Sequence, residues 1–213
     1  MQIIKILFDF LLHIDKNLAL IIHTYGPASY GILFFVIFME TGFVVTPFLP
    51  GDSLLFAAGA FAASGSFNIV LLWLLMVLAA FLGDTANYWI GHFIGPKAFS
   101  GNIKLLKKEY LHKAQAFYEK HGGKAIILAR FVPIVRTFAP FVAGIGEMSY
   151  GRFISFNAIG GVTWVSLFLL SGYFFGTIPL VKHNFEIVVV VIILISLVPI
   201  LMEFIKNRQE NKA

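Results

Sequence analysis

Two arginines, Arg130 and Arg136, lie in an otherwise apolar stretch of this chain, residues 130–146. A charged side chain on a helix at the bilayer centre costs about 2.5 to 3.5 kcal/mol, so a charge retained there is a candidate functional group. A guanidinium group stays charged at any relevant pH and can hold a phosphate through two parallel hydrogen bonds. We therefore predict that Arg130 and Arg136 bind the phosphate group of a substrate.

Acidic residues in apolar surroundings offer an alternative interpretation, in which Glu40, Asp52 or Asp84 simply pairs with an arginine. Both roles are compatible, because an acid could hold an arginine until a phosphate displaces it. Burial favours the neutral form of a carboxyl group and a nearby cation favours the charged form, so such a group can exchange a proton near neutral pH. We expect Glu40 and Asp52 to couple binding to protons or sodium, and Asp84 to support the packing.

Prolines interrupt the segment that carries the arginines. At about 100° per residue, a continuous helix would turn Arg136 about 240° away from Arg130, so it could not direct both side chains to one point. Pro133 and Pro140 each remove a backbone donor and clash with the preceding turn, which argues against such a helix. Broken backbone at membrane depth is tolerated where protein buries it. We predict a re-entrant hairpin over 130–146 whose guanidinium groups face a polar pocket.

The composition indicates an integral membrane protein. Of 213 residues, 59% are hydrophobic and only 13% are charged, which is too apolar for an ordinary soluble domain. The chain has no cysteine, so disulfide and thiolate chemistry are excluded. The net charge of +5 serves as an orientation signal, since no nucleic-acid-binding pattern accompanies it. The histidines have no metal-ligand spacing, and we expect neither a metal nor another cofactor.

The elements that must position these groups begin with residues 1–17, which alternate apolar and charged side chains at helical spacing. This pattern predicts an amphipathic helix in the membrane interface. Residues 18–39 are apolar for about one bilayer crossing. Gly26 and Pro27 are expected to bend this segment or to start its helix.

A second re-entrant hairpin is predicted over residues 40–65, because Pro50 and its neighbours forbid a simple spanning helix. Here Asp52 could alternatively cap a helix over 54–63. Residues 69–95 then span the membrane. This helix carries Asp84.

Two basic segments in the second half of the chain set the predicted orientation in the membrane. Residues 96–124 contain seven lysines, which predicts a cytoplasmic segment that lies on the membrane surface. Residues 153–176 and 185–205 are predicted to span the membrane, and the basic tail 206–213 is again cytoplasmic. Counting crossings between these two basic segments makes both termini cytoplasmic and makes the two hairpins enter from opposite faces.

Short matches between the halves indicate an internal duplication, repeat 1 over 40–95 and repeat 2 over 125–176. Phe48-Leu49-Pro50 matches Phe131-Val132-Pro133. The small-xxx-small pair Gly91 with Gly95 matches Gly172 with Gly176, and such pairs favour close helix packing. Inverted repeats with broken helices are a recurring architecture of secondary transporters. The predicted fold is therefore all-α, with about four spanning helices and two opposed hairpins.

The sequence also resembles the DedA family of bacterial membrane proteins, which shares a domain with eukaryotic lipid scramblases. The resemblance rests on Glu40, on FLPGDSL at 48–54, on the Gly-Asp pair at 83–84 and on ARFVPIVRTFAPFVAG at 129–144. It covers about residues 25–178, within a transport domain placed at 18–180. Membership would imply a lipid transporter with two opposed re-entrant hairpins. The family's essential acids match Glu40 and Asp52, and its essential arginines match Arg130 and Arg136.

The expected function is that of a flippase for a phosphate-bearing lipid, and undecaprenyl phosphate is the substrate we favour. The alternatives are a phosphatidylethanolamine translocase and a proton-coupled small-ion antiporter or osmosensor. An intramembrane lipid phosphatase is a weaker alternative, since the sequence has no paired histidines with an acid. We therefore expect no enzymatic activity. Expected partners are the membrane, the lipid, and protons or sodium, and a homodimer is one state that the sequence allows.

Overall fold

The structure is a computed structural model that describes residues 14–43, 51–99, 115–116, 118–185 and 187–192. All regular secondary structure in these residues is helical. Three stretches are long and apolar enough to cross a bilayer: Ile14–Gly42, Ile69–Ile94 and Tyr150–Phe175. The prediction of an all-α membrane protein is confirmed. Most of the predicted helices over 1–17 and 185–205 lies outside the described residues.

The first stretch contains two helices, α1 (Ile14–Tyr25) and α2 (Ser29–Gly42), joined by a 3₁₀ turn at Gly26–Ala28. Gly26 has φ +50°, a left-handed conformation that glycine adopts easily. The Ser29 hydroxyl donates a hydrogen bond to the Ile21 carbonyl over 3.2 Å. Eight residues of straight helix would separate these positions by about 12 Å. The predicted bend at Gly26 and Pro27 is therefore confirmed.

The first predicted hairpin, 40–65, contains helix α3 (Gly51–Ala63). Glu40 lies in the last turn of α2, while Pro47 and Pro50 fall outside the described residues. A turn follows α3, in which Gly65 has φ +85°. The Asn68 side chain then accepts hydrogen bonds of 3.0 Å from the backbone N–H groups of Val70 and Leu71. The first backbone N–H groups of a helix have no partner within it, and these bonds satisfy two of them. Asn68 therefore caps the start of the next helix.

Two long helices correspond closely to predicted spans. Helix α4 (Ile69–Phe99) continues beyond the predicted end at residue 95. The later helix Tyr150–Phe175 corresponds to the prediction over 153–176. Two short helices lie between them, α5 (Ala125–Ala129) and α6 (Pro133–Val142). The helix Tyr150–Phe175 is numbered α7, and the short helix Pro179–His183 that follows it is α8.

The arginine segment breaks where Pro133 begins α6. Val132 is extended, with φ −121° and ψ 101°, so α5 and α6 are separate helices. Pro140, however, lies inside α6, and the prediction that it interrupts the helix was wrong. The fixed φ of proline is compatible with a helix, and the buried position of Pro140 lets neighbouring protein shield the disturbed backbone. A π turn over Ala143–Glu147 continues α6, and Gly146, with φ +129°, ends it.

The chain divides into two compact units. Unit 1 takes its described residues from Met1–Ile37, Leu49–Ala79 and Thr163–Leu194. Unit 2 takes its described residues from Phe38–Phe48 and Ala80–Val162. Helices α2, α4 and α7 each contribute one part to unit 1 and the other part to unit 2.

In unit 1, α3 and the end of α7 cross at two glycines. A Cβ atom at Gly59 would overlap the backbone carbonyl of Leu169, and one at Gly172 would overlap that of Phe56. Each helix therefore presents a glycine to a carbonyl of the other. This confirms the predicted close packing at Gly172.

Unit 2 contains a crossing of the same kind between α4 and the end of the arginine segment. A Cβ atom at Gly91 would overlap the carbonyl of Phe141, and one at Gly144 would overlap that of Tyr88. The predicted close packing at Gly91 is confirmed. In both crossings, the carbonyl and the glycine of one helix are three residues apart.

Candidate functional site

Arg130 lies at the end of α5 and is only 2% exposed. Its Nη2 atom donates to Asp84 Oδ2 over 2.5 Å and to Asn157 Oδ1 over 2.6 Å. Asp84 comes from the middle of α4 and Asn157 from the first half of α7. One guanidinium group thus binds polar groups on two long helices. The Asn157 amide also donates to the Phe81 carbonyl over 3.0 Å, which fixes the side chain that receives the arginine.

Glycines on α7 make room for the Arg130 side chain. A Cβ atom at Gly160 would lie 3.0 Å from Arg130 Nε and 3.2 Å from its Cδ. At Gly161, a Cβ atom would lie 3.5 Å from Nη2. A larger side chain at Gly160 would therefore press on the arginine. The glycine pair is part of the site although it carries no chemistry.

Arg136 lies in α6 and pairs with Glu40 from the last turn of α2. The Arg136 side chain is 8% exposed and that of Glu40 is fully buried. The structure therefore gives each arginine its own carboxylate, Asp84 for Arg130 and Glu40 for Arg136. The structural pairing considered from the sequence is present in both cases.

These two ion pairs determine what the site can do chemically. Removing one member of a buried pair leaves a lone charge and typically costs 3–5 kcal/mol, so loss of the carboxylate is destabilising unless another anion takes its place. A phosphate group has the charge and the geometry to be that anion. The arrangement is therefore suited to exchanging a carboxylate for a phosphate on a guanidinium group.

Asp52 is the other acid that was predicted to couple binding to an ion. It belongs to unit 1, whereas Glu40, Asp84, Arg130 and Arg136 all belong to unit 2. Asp52 Oδ1 accepts a hydrogen bond of 2.8 Å from the indole N–H of Trp164. Of the supporting prolines, Pro133 begins α6, Pro140 is buried within it, and Pro50 lies outside the described residues.

The comparisons with known proteins agree with the resemblance in the sequence. The VTT domain family matches residues 49–174, which is more than half of the chain. Protein DedA of Escherichia coli (strain K12) is 54% identical over 212 residues, which cover 98% of this chain and 97% of that protein. This chain belongs to the DedA family. It is accordingly a multi-pass membrane protein.

More distant DedA-family relatives are also named as membrane proteins. An uncharacterized membrane protein of Mycobacterium tuberculosis (strain ATCC 25618 / H37Rv) is 42% identical over 181 residues, 84% of this chain and 79% of that protein. Inner membrane protein YghB of Escherichia coli (strain K12) is 36% identical over 156 residues, 73% of this chain and 71% of that protein. No solved structure matches this chain.

In this DedA-family protein, two asparagines belong to the site although the sequence reasoning did not assign them a role. Asn157 receives Arg130, and Asn87 donates to two backbone carbonyls. Both side chains are fully buried. A signal was present, because an amide in a spanning helix must find hydrogen-bond partners within the protein. The cost of burying an unpaired polar group therefore identifies Asn87 and Asn157 as it identifies the charged residues.

Proposed function

We propose that this protein is a flippase that moves a phosphate-bearing lipid, with undecaprenyl phosphate as its substrate, across the bacterial cytoplasmic membrane. The observation that carries the proposal is that Arg130 and Arg136 are both buried and both paired with carboxylates within a membrane protein. Without substrate, each carboxylate neutralises its arginine. With substrate, the arginine offers a binding site for a lipid phosphate. The lipid tail would remain in the apolar surroundings while the head group crosses.

The pair of Arg136 and Glu40 is proposed as the exchangeable one. When a phosphate binds Arg136, Glu40 loses its cation in a fully buried position. A buried carboxylate without a cation is strongly disfavoured, so Glu40 would take up a proton. Substrate binding and proton uptake would thus be coupled at one residue. Sodium could replace the proton in the same role.

The other predicted site residues keep their proposed roles. Arg130 would contact the same phosphate or hold the site in shape, since Asp84 and Asn157 both bind its Nη2 atom. Asp84 is the supporting residue in this scheme. Asp52 would serve as a second coupling acid. Its hydrogen bond from the Trp164 indole is compatible with this role, since a carboxyl group keeps an acceptor oxygen whether or not it is protonated.

The proposal includes the predicted architecture of two opposed re-entrant hairpins in an inverted repeat. The paired glycine crossings support it, since Phe56 and Gly59 correspond to Phe141 and Gly144, one set in each unit. Helix α3 begins at Gly51, one residue after Pro50, and helix α6 begins at Pro133, the residue that the repeat matches with Pro50. In this arrangement the linker 96–124 and both termini are cytoplasmic.

The test is lipid movement in liposomes that contain the purified protein and labelled undecaprenyl phosphate, with and without a proton gradient. We expect wild-type protein to move the label between leaflets and Arg136→Ala to abolish this. Arg152→Ala is the matched control, because this arginine is exposed at the start of α7 and should leave the rate unchanged. Lipid that stays on its original leaflet, with Arg136→Ala behaving like wild type, would contradict the proposal.

The same liposomes distinguish the alternative functions. Movement of labelled phosphatidylethanolamine instead would identify a translocase for that lipid. Proton flux in vesicles free of anionic lipid would favour an antiporter or osmosensor, which would use the same acids. Release of inorganic phosphate from the lipid would indicate a phosphatase.

A further inference from the structure

A single amide in unit 2 connects the two chain segments that carry the Glu40–Arg136 pair. The Asn87 Nδ2 atom donates to the Thr41 carbonyl over 3.3 Å and to the Thr137 carbonyl over 2.7 Å. Thr41 directly follows Glu40, and Thr137 directly follows Arg136. The amide therefore binds the chain one residue after each member of the ion pair.

This arrangement fixes a distance that side chains alone would leave adjustable. The two N–H bonds of a carboxamide diverge at a fixed angle, so the carbonyls that accept them are held at a fixed separation. The residue is fully buried, so water cannot replace either bond. Thr41 also lies in the last turn of α2, where backbone carbonyls commonly accept hydrogen bonds from outside the helix. Asn87 supplies a donor at that point.

We propose that Asn87 is a positioning residue for the Glu40–Arg136 pair. It sets the approach of α2 to α6, and through the backbone it sets how closely the carboxylate and guanidinium meet. The effect on lipid binding rests on the proposed function, because it requires that a phosphate exchanges with Glu40 on Arg136. The effect on the ion pair itself does not depend on any substrate.

Two substitutions separate this role from a general loss of packing. Asn87→Leu keeps a similar side-chain volume and removes both donors. Tyr88→Phe is the matched control, because the Tyr88 hydroxyl donates to the Met148 carbonyl over 2.8 Å, also from α4 and also buried. Neither Tyr88 nor Met148 adjoins a member of the ion pair. Both variants lose buried hydrogen bonds to backbone, but only one of them acts on the pair.

The first experiment is a double-mutant cycle on the thermal unfolding of the full chain in detergent. Asn87→Leu is made in the wild type and in a pair-free background with Glu40→Gln and Arg136→Gln. We expect it to lower Tm by about 5 °C in the wild type and by less than half of that in the pair-free background. Tyr88→Phe should lower Tm equally in both. An equal loss for Asn87→Leu in both backgrounds would overturn the proposal.

The second experiment measures binding of labelled undecaprenyl phosphate to the same detergent-solubilised proteins. We expect Asn87→Leu to weaken binding about tenfold, and Asn87→Gln, which restores the donors on a longer side chain, to recover part of this. Tyr88→Phe should bind like wild type. If wild type binds and Asn87→Leu binds equally well, the effect on substrate is refuted. If wild type does not bind, the proposed function fails while the unfolding cycle still decides the positioning role.

Discussion

The two units share a way of packing but differ in their polar groups. Each contains a crossing in which two glycines lie against carbonyls of the opposing helix, Gly59 with Gly172 in unit 1 and Gly91 with Gly144 in unit 2. Among the described residues, the buried arginines belong to unit 2 alone. In unit 1, the predicted acid Asp52 accepts a hydrogen bond from the indole N–H of Trp164.

This difference teaches that the packing and the chemistry are separable in this protein. Glycine crossings bring helix backbones close together in a membrane, where van der Waals packing rather than hydrophobic burial holds helices together. The charges are costly and contribute little stability beyond what an apolar packing would give. The glycine crossings are present in both units, whereas the ion pairs proposed to bind the lipid phosphate belong to unit 2.

The largest expected effect tests the chemistry of unit 2. Asp84→Ala leaves the buried Arg130 charge without its carboxylate and should lower the free energy of unfolding by about 3–5 kcal/mol. Replacing both residues, Asp84→Leu with Arg130→Met, should restore most of this stability. Denaturant unfolding in detergent measures both variants. A double variant as unstable as Asp84→Ala would show that the fold needs the ion pair. Packing and chemistry would then not be separable in unit 2.

The next effect concerns the shared packing. Gly91→Val and Gly172→Val both force side-chain atoms against a backbone carbonyl and should each cost about 1–3 kcal/mol. Gly151→Ala is the control, since a Cβ atom there meets nothing within 4 Å. Thermal unfolding of the three variants gives the comparison. Markedly different losses at Gly91 and Gly172 would mean that the two crossings are not equivalent.

The smallest effect concerns the acid of unit 1. Asp52→Asn keeps an oxygen that can accept from the Trp164 indole, so the free energy of unfolding should change by less than about 1.5 kcal/mol. If Asp52 couples transport to protons, lipid movement in liposomes should lose its response to a proton gradient in this variant. An unchanged response to the gradient would show that Asp52 does not couple transport to protons, and Glu40 would remain the one proposed coupling acid.

Much of the site could be predicted because burying a charge in a membrane is costly wherever the helices lie. Glu40, Asp84, Arg130 and Arg136 are all buried and paired, as that cost requires. The break before Pro133 was also predictable, since proline restricts the residue that precedes it. Pro140 was wrongly predicted to break the helix, because whether a lost backbone bond is tolerated depends on the surrounding protein.

The sequence by itself determined the membrane class, the family, the long spanning helices and the residues that must find polar partners. It did so because hydrophobicity, proline geometry and the cost of a buried charge act locally along the chain. Only the tertiary structure decided that Arg130 meets Asp84 and Asn157, that Arg136 meets Glu40, and that Asn87 binds beside that pair. These partners are distant in the chain, so their pairing depends on how the helices cross.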